Sequence, residues 1–199
     1  MQVTYLFEVF WFITLILSFI HFSKQTSWKD ACVFFIPALI WGYSLEFFGI
    51  IIYKMYFYPT QNYILVLFNV PLTIAAGWAT MLYLGYYLTT KLLHAKKNIK
   101  MDIETALIST SFDIILLEPL AFIYKLWIWT QNNLWFGAPL LNFIGWFFGI
   151  SIFMATYGFT TNKVKDKNKQ LTLMLILLIP AKIFLHLIGI TYFLFFSTF

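Results

Sequence analysis

The chain contains no arginine, only one cysteine and few charged residues of either sign. Nucleic-acid-binding proteins favour arginine for bidentate contacts to phosphates and bases. Because every basic side chain here is a lysine, the net charge of +5 does not indicate a nucleic-acid partner. The single Cys32 excludes an internal disulfide and any metal cluster built on cysteine.

Charged residues make up only 11% of the chain, whereas hydrophobic residues make up 61% and aromatic residues 22%. A soluble domain is usually about one quarter charged and about one half apolar. The excess apolar surface must face something other than water, and membrane lipid is the partner that fits. The composition therefore predicts an all-α, polytopic transmembrane helix bundle that forms a single integral membrane domain over residues 1–199.

Six hydrophobic segments are long enough to cross a membrane, which takes about 20 apolar residues in a helix. They are Val3–Phe22, Ala31–Tyr53, Tyr63–Leu92, Ile103–Tyr124, Phe136–Phe159 and Leu171–Phe196. Ten lysines fall in the loops on one side, and only Lys54 and Lys125 fall in the loops on the other. Lysine-rich loops are retained in the cytoplasm. We therefore predict a multi-pass protein of the cell membrane with both termini outside.

The sequence contains an internal repeat, in which a Leu-Glu pair is followed by a Pro-Leu-x4-Gly-Trp stretch. The pairs are Leu45-Glu46 and Leu117-Glu118, and the stretches are Pro71–Trp78 and Pro139–Trp146. Both copies run in the same direction, which predicts two helical hairpins related by a pseudo-two-fold axis along the membrane normal. Equivalent residues of such a repeat lie at equal depth, so Glu46 and Glu118 are predicted to face one pocket.

Several polar side chains are predicted to lie inside the hydrocarbon region, where ionisable residues usually mark function. They are Glu46, Asp113, Glu118, Lys182 and His186. Asn69 and Asn142 enter from the same side as the two glutamates, so the four side chains together would form a polar pocket in an apolar wall. The alternative for the asparagines is that they only hydrogen-bond neighbouring helices.

Two further interpretations concern the charged residues of helices four and six. Asp113 lies about 140° from Glu118 around an unbroken helix, so the two share a face only if Pro119 distorts it. Lys182 is predicted to form a structural ion pair with Asp113. His186, one turn beyond Lys182, is interpreted as a hydrogen-bonding residue rather than a metal ligand. No spacing of His, Asp or Glu indicates a metal site, and we expect neither metal nor cofactor.

Aromatic residues crowd the loops on the lysine-poor side, around Tyr53–Tyr63 and Trp127–Phe136. They are typical of the belt that anchors membrane proteins at the lipid–water interface. The other interpretation is the mouth of a site for an apolar molecule. Between the two, the belt is the favoured prediction.

One stretch of the chain carries a recognisable motif, formed by Asp113, Glu118-Pro119, Ala121, Trp127, Trp129, Phe136-Gly137, Pro139-Leu140, Asn142-Phe143 and Gly145-Trp146, with Glu46–Gly49, Val70–Leu72 and Trp78 matching more loosely. In these residues the chain resembles the membrane-bound carotenoid biosynthesis family that includes bisanhydrobacterioruberin hydratase. The resemblance implies hydration of the terminal C-1,2 double bond of an acyclic carotenoid. The implied partner is an apolar isoprenoid or carotenoid substrate.

The residues suit this chemistry, because hydrating an alkene needs a local acid and no redox cofactor. Glu118 is the expected acid, with Glu46 and Asp113 as alternatives or as the base that orients water. Trp78 and Trp146 are expected to stabilise the carbocation, with Asn69 and Asn142 completing the substrate site. A cyclase of the lycopene type begins with the same protonation and stays open as an alternative. So does a transporter or carrier that uses the buried carboxyls. The sequence predicts no oligomeric state.

Overall fold

The computed structural model describes residues 2–93, 98–130 and 134–196, and this part of the chain is mostly helical. The helices are α1 (Gln2–Gln25), α2 (Trp28–Ile51), α3 (Leu72–Lys91), α4 (Ile99–Phe112), α5 (Glu118–Tyr124), α6 (Leu140–Lys163) and α7 (Lys167–Phe196). A π-helical turn, Asp113–Leu117, joins α4 to α5 into one continuous rod. Short connections join the helices at one end of the bundle, and longer loops join them at the other.

Five of the helical rods are long and apolar enough to cross a membrane. They are Val3–Gln25, Trp28–Ile51, Ile99–Tyr124, Leu140–Lys163 and Lys167–Thr191. Their outward faces carry exposed leucine, isoleucine and phenylalanine side chains, the surface expected against lipid. The prediction of an all-α polytopic bundle is therefore confirmed.

The helix α3 lies at the centre of the bundle and is not one of these five apolar rods. It packs against α1, α2 and α4, and its residues from Thr73 to Tyr83 are all buried. A helix that is surrounded by other helices does not contact lipid, so it can carry threonine, glycine and tyrosine. Its 20 residues span about 30 Å, the thickness of the hydrocarbon core.

Two of the six predicted segments were too long at their N-terminal ends. The helix predicted to begin at Tyr63 begins at Leu72, and the one predicted at Phe136 begins at Leu140. In both cases a proline, Pro71 or Pro139, precedes the first helical residue and has extended backbone. The residue before a proline avoids the helical conformation, so an apolar run cannot continue as helix through that point.

The apolar stretches excluded from the helices form a cap over one end of the bundle, and we call this the cap side. Its strands are β1 (Tyr56–Phe57), β2 (Val66–Leu67), β3 (Val70–Pro71) and β4 (Ile128–Trp129). A hairpin joins β2 to β3, and β1 pairs antiparallel with β4, with Tyr56 opposite Trp129. The β1–β4 pair ties together the loops that follow α2 and α5.

The opposite end of the bundle, the lysine side, holds the short connections α1–α2, α3–α4 and α6–α7. An ion pair between Asp30 and Lys167 joins the start of α2 to the start of α7. Of the lysine-rich loops, Lys96 and Lys97 lie outside the described residues. Which side faces the cytoplasm stays a prediction from the lysine distribution.

Two glycines allow helices to approach closely around α3. A Cβ atom on Gly42 of α2 would lie 2.2 Å from the Cβ of Trp78, and one on Gly85 would lie 2.1 Å from the hydroxyl of Ser109 in α4. Small residues at helix contacts let backbones meet in membrane proteins. The approach at Gly42 holds Trp78 against the helix that carries Glu46.

Candidate active site

Three acidic side chains, Glu46, Asp113 and Glu118, line one small cavity beneath the cap. Their exposed fractions are 7%, 1% and 2%. Glu46 lies five residues before the end of α2 and Glu118 six before the end of α5, which places them about 8 and 9 Å below those ends. The equal depth and the shared cavity are what the repeat predicts. The cavity volume is about 40 Å³, enough for a few water molecules.

The π-helical turn brings Asp113 and Glu118 onto the same face of their rod. The backbone N–H of Glu118 donates to the carbonyl of Asp113, five residues earlier. In such a turn residue i+5 lies over residue i, whereas in an α-helix the two would point about 140° apart. Pro119 lacks an N–H and cannot complete the α-helical ladder here. The indole of Trp135 donates to the carbonyl of Ile114 within the same turn, at 2.8 Å.

One amide group connects these two carboxyls. The side-chain nitrogen of Asn142 donates to Asp113 at 3.0 Å and to Glu118 at 2.9 Å. An asparagine NH₂ carries two hydrogens, so each carboxyl receives one. Asn142 sits in the first turn of α6, and its place therefore depends on the helix beginning immediately after Pro139.

Glu46 is held by three donors of a different kind. The hydroxyls of Tyr56 and Tyr58 both donate to the same carboxylate oxygen of Glu46, Oε2, at 2.6 Å. The indole of Trp78 donates to the second oxygen, Oε1, at 2.6 Å. Burial first, and then the nearby Glu46 carboxylate, raises the pKa of Tyr56 and of Tyr58 well above the usual value. Both phenols therefore remain hydrogen-bond donors at physiological pH.

Glu118 also receives hydrogen bonds from the cap. The indoles of Trp127 and Trp129 donate to one of its oxygens at 3.3 and 2.9 Å, while Asn142 binds the other. Trp127 and Trp129 belong to the motif that carries the family resemblance, and their spacing of two in an extended segment allows both to point the same way.

The belt interpretation of the cap aromatics is wrong for four of them. Tyr56, Tyr58, Trp127 and Trp129 line the carboxyl cavity and bind its acids. The aromatic count alone does not separate a belt from a site. The alternation of Tyr56 with Tyr58, and of Trp127 with Trp129, is the signal that could have done so, because alternate residues of an extended segment share a side.

Equivalent residues of the repeat meet at the centre of the site. The rings of Trp78 and Trp146 stack with centroids 3.8 Å apart, and the paired strands β1 and β4 follow Glu46 and Glu118 respectively. Contacts between equivalent positions are what a pseudo-two-fold relation produces.

The two halves of the repeat differ in the residues that surround their glutamates. The position equivalent to Asn142 is Ile74, and the position equivalent to Asp113 is Trp41. The second half therefore holds a carboxyl pair bridged by an amide, whereas the first holds a single carboxylate among phenol and indole donors. The symmetric frame presents two glutamates in unlike surroundings.

Asn69 is not part of the site. It lies in the tight turn between β2 and β3, where Phe68 and Asn69 have φ angles of 45° and 63° and are both exposed. Two positive φ angles in a two-residue hairpin turn are typical of type I′, in which asparagine is favoured. The prediction that Asn69 enters the pocket is therefore wrong, because its helix begins at Leu72.

The predicted ion pair between Asp113 and Lys182 is also wrong. No ion pair joins them among the residues that the structure describes; Asp113 binds Asn142 instead. The ammonium of Lys182 lies 4.8 Å from the ring centre of Phe48 and 5.7 Å from that of Trp41. Helix α7 packs against α2 and α6, and this places Lys182 next to α2 aromatics rather than next to α4.

A second cavity of about 110 Å³ adjoins the first and extends between α2, α6 and α7. The two cavities share Glu46, Asn142 and the stacked tryptophans as lining residues. Lys182 and His186 line the second cavity. A nitrogen of the His186 ring hydrogen-bonds to the Tyr53 hydroxyl at 2.6 Å. His186 is thus a hydrogen-bonding residue, as predicted. Over residues 2–93, 98–130 and 134–196, no cluster of His, Cys, Asp and Glu is arranged to hold a metal ion.

The fold and the site define a polytopic helical membrane protein with a buried, hydrogen-bonded carboxyl cluster beneath an aromatic cap. A family model described as carotenoid biosynthesis protein matches residues 4–199. The chain belongs to this carotenoid biosynthesis family, and the family resemblance seen in its motifs is confirmed. Comparison with curated proteins and with solved structures gave no match.

Proposed function

We propose that this protein hydrates the terminal C-1,2 double bond of an acyclic carotenoid by acid catalysis, as a hydro-lyase that needs no cofactor. The observation that carries the proposal is the Asp113–Asn142–Glu118 arrangement, in which one amide holds two buried carboxyls beside a cavity of water size. Membership of the carotenoid biosynthesis family supports a carotenoid as the substrate. A carotenoid end offers an alkene and no other reactive group, so the protein must supply the proton.

The carboxyl pair is the proposed acid. Two negative charges close together in a buried site repel strongly, so the pair retains one proton. Glu118 accepts three hydrogen bonds and Asp113 accepts one, so the donors favour the proton on Asp113 at rest. Asp113 passes this proton to Glu118 along their shared face, and Glu118 delivers it to the substrate.

The proton adds to C-2, and the electron pair of the double bond forms the new C–H bond. C-1 becomes a tertiary cation, which the faces of Trp78 and Trp146 stabilise as the substrate end enters between the two cavities. The oxygen of a water molecule then bonds to C-1. The Asp113–Glu118 pair takes the extra proton of that water, so the acid is restored and one water is consumed for each double bond.

Glu46 has the role of holding the water that attacks. Its three donors stabilise a carboxylate, and a carboxylate orients water by accepting a hydrogen bond. A cyclase would begin with the same protonation, but it would have to keep water away from C-1. The carboxyls and the amide that line the cavity, together with its small size, favour water at that point, and hence hydration over cyclisation.

The test is to express the chain in a host that makes lycopene and to measure the masses of the carotenoids. A gain of one water mass per modified end is the expected result. An unchanged mass with altered absorption would identify a cyclase. Unmodified lycopene, with the protein present in the membrane, would overturn the proposal and favour a carrier.

A further inference from the structure

A third cavity runs along the outside of the bundle between α1 and the α4–α5 rod, with α3 as its floor. Its volume is about 690 Å³, which is within the range of small-molecule sites. It extends along α1 from Val3 to His21, a length of about 27 Å. Almost all of its lining is apolar, and much of the lining is aromatic. We call this cavity the α1 groove.

The α1 groove and the carboxyl cavity share part of their walls. Phe7, Trp11 and Leu117 line both. Leu117 directly precedes Glu118 and closes the π-helical turn. An end of a chain lying in the groove therefore needs to pass only these three side chains to reach the acids.

We propose that the α1 groove binds the linear polyene body of the substrate, with its reacting end directed past Trp11 into the carboxyl cavity. This inference rests on the proposed function and names the place and orientation of its substrate. The remainder of the molecule lies along α1 toward His21 on the lysine side. The substrate thus enters from the lipid, between α1 and the α4–α5 rod, and stays closer to the membrane normal than to its plane.

The dimensions favour a narrow linear occupant. A transmembrane helix of a second copy, about 10 Å across, would occupy roughly 2,100 Å³ over the same length, which is more than the groove holds. A conjugated chain also suits the walls, because its flat faces can stack on aromatic rings such as Phe10, Phe112 and Tyr124. Continuity with the acids distinguishes this groove from an ordinary lipid-facing crevice.

The experiment fills the groove and measures binding apart from catalysis. Thr14→Phe and Ser18→Phe place a ring at two successive turns of the groove wall. Ile16→Phe places the same ring on the exposed face of α1, where the side chain is 57% exposed, and serves as the control. Lycopene retained by the detergent-purified full chain is measured by absorbance, next to product masses from the same cells.

We expect the two groove variants to retain about tenfold less lycopene, the change that about 1.4 kcal/mol of lost binding produces, and to form correspondingly less product. Ile16→Phe should match the wild type. Gly145→Phe tests whether the substrate instead occupies the second cavity, between α2, α6 and α7. A Cβ at this position meets no atom within 4 Å, so the ring would fill that cavity. If Gly145→Phe blocks lycopene retention and the groove variants do not, the substrate lies in that cavity and the inference is overturned.

The experiment can refute the groove and the hydration reaction independently of each other. Loss of retained lycopene in the groove variants, with no hydrated product from the wild type, would keep the groove and overturn the reaction. Normal hydration and retention in both groove variants would keep the reaction and overturn the groove. Polarised absorption of lycopene bound to the wild type in oriented bilayers needs no variant. Absorption along the normal is expected, and absorption in the plane would contradict the proposed orientation.

Discussion

The indole rings of Trp78 and Trp146 stack face to face, with centroids 3.8 Å apart and planes inclined by 14°. The two residues occupy equivalent positions of the internal repeat and come from different helical hairpins. Trp78 also donates to Glu46, so the stacked pair is linked to one of the acids. The repeat thus places an electron-rich surface where the proposed cation forms.

The first prediction concerns Trp146 as a stabiliser of that cation. Trp146→Phe keeps an aromatic face, whereas Trp146→Leu keeps only apolar bulk. A desolvated cation–π contact contributes about 2 kcal/mol, so Trp146→Leu should slow turnover roughly 30-fold. Turnover in membranes with a verified substrate checks this. Equal activity of the Phe and Leu variants would mean that the ring serves packing alone.

The second prediction concerns the acid. Glu118→Gln keeps the shape and accepts hydrogen bonds but cannot donate a proton, and we expect turnover to fall by about 10²- to 10⁴-fold. Glu104→Gln is the matched control, because Glu104 is on the same rod near the lysine side, where it pairs with Lys100 at 3.6 Å. Near-normal turnover by a well-inserted Glu118→Gln protein would refute the assignment.

The third prediction concerns the amide that bridges Asp113 and Glu118. Asn142→Ile copies the residue at the equivalent position of the repeat, Ile74, and removes both donors. Loss of a donor to a buried polar group costs about 1–3 kcal/mol, so the melting temperature in detergent should fall. Turnover should fall further than the loss of folded protein explains. Asn142→Ser, which retains one donor, should lie between the two.

The fourth prediction follows from the phenols that hold Glu46. Tyr56 and Tyr58 have raised pKa values in the folded protein, whereas in the unfolded chain tyrosine ionises near the usual value of about 10. Their contribution to stability is therefore complete below about pH 10 and declines as pH rises further, because the unfolded state then releases protons first. The melting temperature should fall above that pH.

The Tyr56→Phe/Tyr58→Phe double variant tests the cause of this decline. It should be less stable than the wild type near neutral pH, because Glu46 loses two donors, but it should lose less stability between neutral and strongly alkaline pH. Tyr43→Phe, which removes an exposed hydroxyl bonded to the carbonyl of Leu67, is the control. Parallel pH curves for the wild type and the double variant would contradict the prediction.

The fifth prediction is the orientation of the chain. The lysine-rich loops on one side of the bundle predict that both termini lie outside the cell. Reporter fusions after Phe199, and after Lys163 on the lysine side, should therefore report opposite compartments. A cytoplasmic signal from the fusion at Phe199 would reverse the orientation, and identical signals from both positions would contradict the number of crossings.

The amino-acid sequence by itself determined the membrane class, the approximate helices and the acids of the site. Long apolar runs need lipid, and buried carboxyls in such runs have no place but the bundle interior. The repeat predicted that Glu46 and Glu118 lie at equal depth, because copies in the same direction share one geometry. Pro71 and Pro139 also mark where α3 and α6 begin, although the hydrophobic runs start several residues before these prolines.

Only the tertiary structure decided which groups the acids bind. The π-helical turn rotates Asp113 toward Glu118, and a local change of one backbone hydrogen bond leaves no reliable trace in a hydrophobic pattern. Tyr58 and Trp127 reach their carboxylates from loops whose path depends on the pairing of β1 with β4. The partner of Lys182 depended on which helices α7 packs against. Such contacts join distant parts of the chain, and composition and periodicity describe only neighbours.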